Sequence, residues 1–484
     1  MEPVFSFDLT LPAPGRGMLA LALHEQLRSA VLDGRLVAGS TLPSTRGVAA
    51  ALGVGRNTVV KVYDQLMAEG YVLPRPGAKA VVAAVAQGRR ALQRATDRRL
   101  QDERLNPLWR TPFMHPEVPR ALPERSFRLG MPEHRHFPHE TWRRLTARAQ
   151  RIGSRSGFSY PPSHGLPELR EAIAQHVSFA RAVACRSDDV LVTSGAQQAF
   201  DLIARVLVTP GRTKVAVEDP GYPPLRAVFT AAGARLVPIP VDDEGLCVDH
   251  LPADVQIVCV TPSHQSPTGA ALSMRRRLAL LAFARQRNAV VLEDDYDGEF
   301  RFGARPLDAL QTLDRDGLVL YIGTFSKSLF PSLRKGFIVA PPWARDALVS
   351  VKHCCDAHGD SLTQSTLASF IREGHLARHV RRMRSIYGQR REALLHGLHS
   401  ELEDWLDVIP SEAGLHLAAR IRRPGQAGAI VEAMRRCTPG AQTTADYAMR
   451  RTPPMALSFG YGVIDAAEIG LALRRMRRAL LASL

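Results

Sequence analysis

Lys327 lies in "GTFSKSLFPSLRKG" (323–336), among small hydroxyl residues and directly after "LVLYI", an apolar run that reads as a short buried strand. A lysine at a strand end normally points to water. One enclosed among small residues loses solvation, and the resulting fall in pKa makes it a good amine for a Schiff base. With pyridoxal phosphate (PLP), that chemistry needs two further things: a carboxylate to keep the pyridine nitrogen protonated, and donors to hold the phosphate. Asp294, at the end of "AVVL", is a candidate for the first, and Tyr296 can donate to the ring's phenolic oxygen. For the phosphate, "TSGAQQAF" places Ser194, Gly195 and Ala196 at a helix N-terminus, where unpaired N–H groups favour an anion. Thr324, Ser326 and Arg334 add hydroxyls and a fixed positive charge. Each has a structural alternative: Asp294 as a cap, Arg334 as a surface ion pair, Ser194–Gly195 as a plain turn. A P-loop is excluded, since no G-x-x-x-x-G-K-[ST] occurs.

Position weighs against those alternatives holding together. From residue 128 on, β-branched runs alternate with helical patterns: "DVLVTSG", "KVAVEDPGY", "VQIVCVTPSHQSPTG", "AVVLEDDYDGEF" and "LVLYIGTFSKSLF" are the runs. Such a pattern predicts an α/β domain with a mostly parallel sheet covered on both faces, binding ligands at the carboxyl ends of its strands. Ser194, Asp219, Ser263 with His264, Asp294, Tyr296, Thr324, Ser326 and Lys327 all fall at those ends.

The first eighty residues differ. Leu19, Leu23, Leu27 and Val31 form one helical stripe; Ser44 caps a second helix that ends at Gly53; "RNTVVKVYDQLMAEG" is a third. Two short helices joined by a tight glycine-containing turn predict a helix-turn-helix, whose second helix begins against base edges in the major groove. Arg56, Asn57, Thr58 and Lys61 stand there, and Arg75 and Lys79 flank a Pro-Gly turn that reads as a wing. A three-helix protein-interaction module is the alternative. Between head and body, "QGRRALQRATDRRLQDERL" reads as a short charged helix and the proline-rich stretch after it as a semi-stiff tether. The expected division is 15–84 for the head, 85–127 for the linker and 128–484 for the body.

With 484 residues, more than one domain is expected, and a formal charge of +16 suits a polyanionic partner. The arginine runs near 378–385 and 473–481 read as solvated helix faces. Six scattered cysteines without C-x-x-C spacing argue against zinc and against disulfides, and no metal is expected. No apolar run is long enough to span a membrane, and the N-terminus lacks a secretory pattern, so a cytoplasmic protein is expected.

"LHEQLRSAVLDGRLVAGSTLPSTRGVAAALGVGRNTVVKVYDQLMAEGYV" resembles the winged-helix domain of GntR-type bacterial regulators over almost all of 18–83. The resemblance implies DNA contact by Arg46 of "LPSTR" and by Arg56, Asn57 and Thr58, although the wing reads "GAKAVV" where the family reads G-x-G-T-F-V. "YPPSHGLPELREAI", "VTSGAQQAFDL", "EDPGYPPLR", "TPSHQSPTG", "EDDYDGEF" and "GTFSKSLFPSLRKG" resemble successive motifs of fold-type I aminotransferases, in the form found in MocR/GabR-type regulators. That resemblance spans most of 127–462. It implies an internal aldimine on Lys327, Asp294 at the pyridine nitrogen, Tyr296 on the phenolic oxygen and Arg334 on the phosphate. It also implies Tyr222 near the ring face, and Tyr160 reaching the partner subunit's cofactor in a head-to-tail homodimer. Two positions depart from the pattern. Ser266 stands where an asparagine usually precedes "PTG", and Ala456 where many members carry a carboxylate-clamping arginine; Arg226 or Arg451 are the candidates to replace it.

The combination is expected to be a PLP-dependent DNA-binding regulator of transcription. A small amine or amino-acid-like effector would form an external aldimine, displace Lys327 and change how two heads engage paired half-sites on double-stranded DNA. Rival readings are an aminotransferase with an appended head, showing full or half-reaction turnover, and a regulator that senses PLP itself.

Overall fold

Val59, Val62 and Leu66 recur at the spacing of one helix face, and all three are buried. They belong to α3 (Arg56–Ala68), which packs on α1 (Leu19–Leu32) and α2 (Thr45–Leu52) around Leu23, Leu27 and Val48. Ser44 caps α2, its side chain accepting from Gly47 N at 3.1 Å. Tyr63 donates from α3 to Pro43 O at 3.0 Å, pinning the start of α2. A two-stranded antiparallel ribbon, β1 (Val72–Leu73) and β2 (Val81–Val82), completes the head.

This computed structural model describes residues 4–12, 18–75, 79–84, 104, 106–109, 125–155, 159–303, 308–449 and 455–483. The chain separates into two compact units, Met1–Phe113 and Met114–Leu484. The wing turn, most of the expected linker helix and tether, and Arg451 lie outside the described residues. No helix is long and apolar enough to cross a membrane, among the described residues.

The second unit is built on an eight-stranded sheet. Its strands are β3 (Val190–Thr193), β4 (Lys214–Asp219), β5 (Arg235–Asp242), β6 (Gly245–Leu246), β7 (Ile257–Val260), β8 (Val290–Asp295), β9 (Val319–Thr324) and β10 (Gly336–Val339). They run in the order β3-β10-β9-β8-β7-β4-β5-β6. β5, β4, β7, β8 and β9 pair in parallel, and β10 is inserted antiparallel between β9 and β3. Every residue of β7 and β9 is buried, as a sheet covered on both faces requires. Alternate residues serve opposite faces. Cys259, Leu292 and Leu320 pack under helix Ala196–Leu207, while Val258, Val291 and Val319 pack under helix Met274–Arg287.

The chain then folds a second sheet, β11 (Leu406–Val408), β12 (His416–Ile421), β13 (Gln442–Thr443) and β14 (Ala456–Gly460), antiparallel in the order β11-β12-β14-β13. Helices His375–Glu401, Ala427–Cys437 and Ala466–Ser483 cover it. Its importance for the site is one contact. Residues 127–131 run as a strap along the end of β14, with Gly460 N donating to Phe127 O at 2.9 Å. A Cβ on Gly460 would fall 2.2 Å from Arg128 O, and one on Gly462 1.8 Å from Met131 O, so only glycines admit the strap there.

Candidate cofactor pocket and nucleic-acid interface

The strap roofs a cavity of about 440 Å³ at the carboxyl ends of the parallel strands. Lys327, Asp294, Tyr296, Tyr222, Thr324, Ser326, Arg334 and Ala196 all line it, together with Ser266. Strand register brings them together. Asp294 pairs beside Ile322, and Thr324 ends β9 three residues before Lys327.

Lys327 Nζ donates to Gly130 O of the strap at 2.6 Å. Burial lowers its pKa, against the pull of Asp297 and Asp294 and with the help of the Arg128 charge. The amine expected from the sequence is therefore present where nucleophilic nitrogen chemistry needs it.

Asp294 is 5% exposed, and its Oδ1 finds no hydrogen-bond partner. Burial pushes its carboxyl up to about 8, and the nearby Asp295, Glu218 and Asp297 push the same way. An orphaned carboxyl of this kind is complementary to a cationic ring N–H donor. Its neighbours on β8 face the other way: Asp295 takes Arg181 Nε at 2.6 Å and Tyr321 Oη at 2.7 Å, and Glu293 accepts Leu310 N and Gln311 N.

Tyr296 Oη lies 3.1 Å from His264 Nδ1, which is itself 3.0 Å from Asp297 Oδ2. Asp297 also accepts Leu415 N. A carboxylate oxygen only accepts, so Nδ1 carries the hydrogen toward Asp297, and the Tyr296 hydroxyl proton is left for an acceptor in the cavity. His416, on the cavity wall, has its pKa lowered by burial and by His264. His264, Asp297 and His416 bring ligand atoms within 4.8 Å of one another. With His264 Nδ1 already engaged by Asp297, the group serves as a hydrogen-bonded support under Tyr296.

The opposite end of the cavity suits an anion. Gly195, at φ +81°, precedes helix Ala196–Leu207 without a side-chain cap, and Ala196 and Gln197 begin that helix on the cavity wall. Arg334 Nη2 donates to Ser194 O at 2.8 Å, and a Cβ on Gly195 would meet the Arg334 guanidinium at 3.2 Å. Thr324 Oγ1 and Ser326 Oγ sit 3.0 Å apart beside them. A guanidinium, two hydroxyls and an uncapped helix start are a donor set for phosphate. Tyr222, 40% exposed, lines one side, its hydroxyl pKa pushed up by partial desolvation and by the Asp294 charge. The residues present thus fit PLP at both ends: the cationic ring nitrogen at Asp294 and the phosphate at Arg334.

Other expected residues lie elsewhere. Ser194 serves through its carbonyl. Asp219 accepts Met449 N and lines a neighbouring cleft with Ala456, and Ser263 Oγ accepts Arg181 Nη2 at 2.7 Å. Arg226 donates to Tyr447 O at 2.6 Å. Tyr160 is 89% exposed, with its ring 5.8 Å from that of His358 and outside the cavity wall. Arg128, Gln197, His416 and Tyr447 line the cavity without having been singled out in the sequence.

In the head, Ser44, Arg46, Arg56, Asn57, Lys61, Arg75 and Lys79 are exposed and Thr58 is half-buried. Arg56, Asn57 and Thr58 open α3. Arg28 and Arg35 are engaged by Tyr71 and Asp33. Among the described residues, by contrast, Arg46, Arg56, Lys61, Arg75 and Lys79 make no ion pair or side-chain hydrogen bond within the protein, which leaves their charges available to a partner.

Residues 128–446 match the aminotransferase class I and II family, and residues 19–82 the bacterial regulatory proteins of the gntR family. The chain is 36% identical to the "Probable rhizopine catabolism regulatory protein MocR" of Rhizobium meliloti, over 95% of this chain and 93% of that one. It is 36% identical to the "HTH-type transcriptional regulator TauR" of Rhodobacter capsulatus, over 93% and 89%. Among solved structures it is similar to LysN, an alpha-aminoadipate aminotransferase from Thermus thermophilus complexed with N-(5'-phosphopyridoxyl)-L-leucine. That match has a TM-score of 0.67 and 29% identity, covering 74% of this chain and 93% of that one. The chain belongs to the MocR-type branch of the gntR family of transcriptional regulators, in which a helix-turn-helix DNA-binding domain is joined to an aminotransferase-like domain that binds pyridoxal phosphate.

Proposed function

We propose that this regulator senses a small amine at Lys327 and reports it as a change in DNA affinity. The observation that carries this reading is that the Lys327 amine and the unpartnered Asp294 carboxyl face one cavity in a chain with a DNA-binding head. Bound PLP supplies an electrophilic carbon for amines and an electron-withdrawing ring. Lys327 Nζ, its pKa lowered by burial, would supply the lone pair for that carbon. Asp294 holds the ring nitrogen and favours its protonated form. Tyr296 would donate a hydrogen bond to the phenolic oxygen, with His264 fixing the hydroxyl. Arg334, Thr324, Ser326 and the N–H groups after Gly195 hold the phosphate, and Tyr222 covers the ring. An incoming amine would compete with Lys327 for that carbon, and a displaced Lys327 Nζ would be free to donate to Gly130 O of the strap, as it does without cofactor.

A head-to-tail dimer suits the reading: the exposed Tyr160 would reach the partner's phosphate, and two heads would engage paired half-sites. The expected unit boundaries, 15–84 and 128–484 with a linker between, leave the heads separately tethered.

The test is an anisotropy titration of operator DNA with the PLP-loaded full chain. Adding a reactive amine is expected to shift the DNA Kd at least about tenfold, or ~1.4 kcal/mol. An unchanged Kd, together with many turnovers of amine and keto acid per chain, would establish the aminotransferase instead. A shift caused by PLP alone, with no further effect of amines, would make PLP the sensed molecule.

Asp294 yields a prediction with a definite sign. Its carboxyl titrates near 8 in the unliganded fold and near 4 when unfolded. Between those values the fold holds the extra proton, so its stability falls as pH rises from about 4 to 8. Asp294→Asn removes that penalty. At about pH 7.5 the cofactor-free variant should melt at or above the wild type, by about 1–4 °C. Its PLP affinity should fall about tenfold to a hundredfold, because a neutral amide no longer favours a protonated ring nitrogen. Thermal unfolding with and without PLP reads both.

A further inference from the structure

Arg128 is the one arginine on the cavity wall, among the described residues, whose side chain has neither a hydrogen bond nor an ion pair. Arg334 is held by Ser194 O. The backbone on either side of Arg128 is fixed: Phe127 N donates to Pro439 O at 2.8 Å, Gly460 N to Phe127 O at 2.9 Å, and Lys327 Nζ to Gly130 O at 2.6 Å. The close approach of Gly440 and Gly460 to the Arg128 backbone leaves it little room to shift. Its charge reaches the amine, since it is one of the groups that lower the Lys327 pKa. A guanidinium held by a rigid strap on the wall that carries the reacting amine, half-buried and with no carboxylate of the protein on it, presents donors suited to an anion. The position from which a clamp would be expected carries Ala456, which is buried and lines the neighbouring cleft instead of this cavity. Arg226 donates to Tyr447 O and does not line the cavity.

We infer that Arg128 is the specificity-determining residue of the effector site, pairing with a carboxylate on the same molecule whose amine reaches Lys327. The effector is then an amino acid in the broad sense, a primary amine with a carboxylate, and not a simple amine, polyamine or amino alcohol. This rests on the reading of the cavity as an amine-sensing site. Phosphate donors are supplied at the Arg334 end, so the Arg128 end is left for a second, separate anion. A planar guanidinium meets a carboxylate through two parallel hydrogen bonds, which an alcohol of the same length cannot reproduce.

The test uses the PLP-loaded full chain and three matched pairs: L-alanine and alaninol, β-alanine and 3-amino-1-propanol, 4-aminobutyrate and 4-amino-1-butanol. Each is titrated by the change in the cofactor's visible absorbance and by the shift in melting temperature. The wild type should prefer the acid of at least one pair about tenfold to a hundredfold. Arg128→Gln should bring that ratio close to one while still binding PLP with undiminished affinity, and Arg128→Lys should retain part of the preference. An unchanged ratio in Arg128→Gln overturns the inference but leaves amine sensing intact, as does a wild type that favours the alcohols. Loss of PLP affinity in Arg128→Gln, with the acid preference kept, would assign Arg128 to the cofactor phosphate and overturn it equally. If no amine perturbs the wild-type absorbance, the amine-sensing reading fails first, and the inference goes with it.

Discussion

Lys327→Ala is expected to abolish the amine response altogether: operator affinity should become independent of every amine that shifts the wild type. The variant should still fold. The side chain makes one hydrogen bond, to Gly130 O, and its charge is disfavoured by burial; the cost to stability should be about 1 kcal/mol. PLP should still enter, held by Asp294 and the Arg334 end, but with affinity reduced on the order of a hundredfold, ~2.7 kcal/mol. Equilibrium dialysis of PLP and operator anisotropy with and without amine separate the two effects. A variant that keeps its amine response would remove Lys327 from the switch.

The second large effect belongs to the head. Arg46→Ala and Arg56→Ala should each weaken operator binding by about 1–3 kcal/mol, and the double variant by roughly the sum if the two contacts are independent. Neither side chain is used inside the protein, so the head should melt normally. Lys61→Ala at the same surface should instead weaken binding to all sequences alike and lower the salt slope by about 1. Anisotropy over a range of salt distinguishes base readout from phosphate contact. If Arg46→Ala and Arg56→Ala leave the operator Kd unchanged, the interface lies elsewhere.

The head was legible because its signals are local. Leu23, Leu27 and Val31 sit on one helix face, and Ser44 caps as its type and position suggest. The sheet was legible because β7 and β9 are apolar throughout, and Lys327 because it follows such a strand at once. Where the sequence fell short, the reason is geometric. Asp219 and Ser263 stand at strand ends like Asp294, yet serve a neighbouring cleft and Arg181. Position at a strand end does not say which face a side chain takes. On β8, Asp294 enters the cavity while Glu293 and Asp295 turn to the far side, and only pairing with β9 decides it. Arg128 was invisible for a different reason. The strap has no periodicity of its own, and its place is set by Gly460 and Gly462, more than three hundred residues later. Tyr447 arrives on a four-residue 3-10 turn, Thr444–Tyr447, which is too short to show a period.

The most direct measurement is borohydride reduction of the PLP-incubated full chain, followed by peptide mapping by mass. The expected result is visible absorbance before reduction, its loss afterwards, and one pyridoxyl-sized mass increase confined to the peptide that contains Lys327. A colourless chain with no mass increase, or an increase on another lysine, would contradict the reading of this cavity.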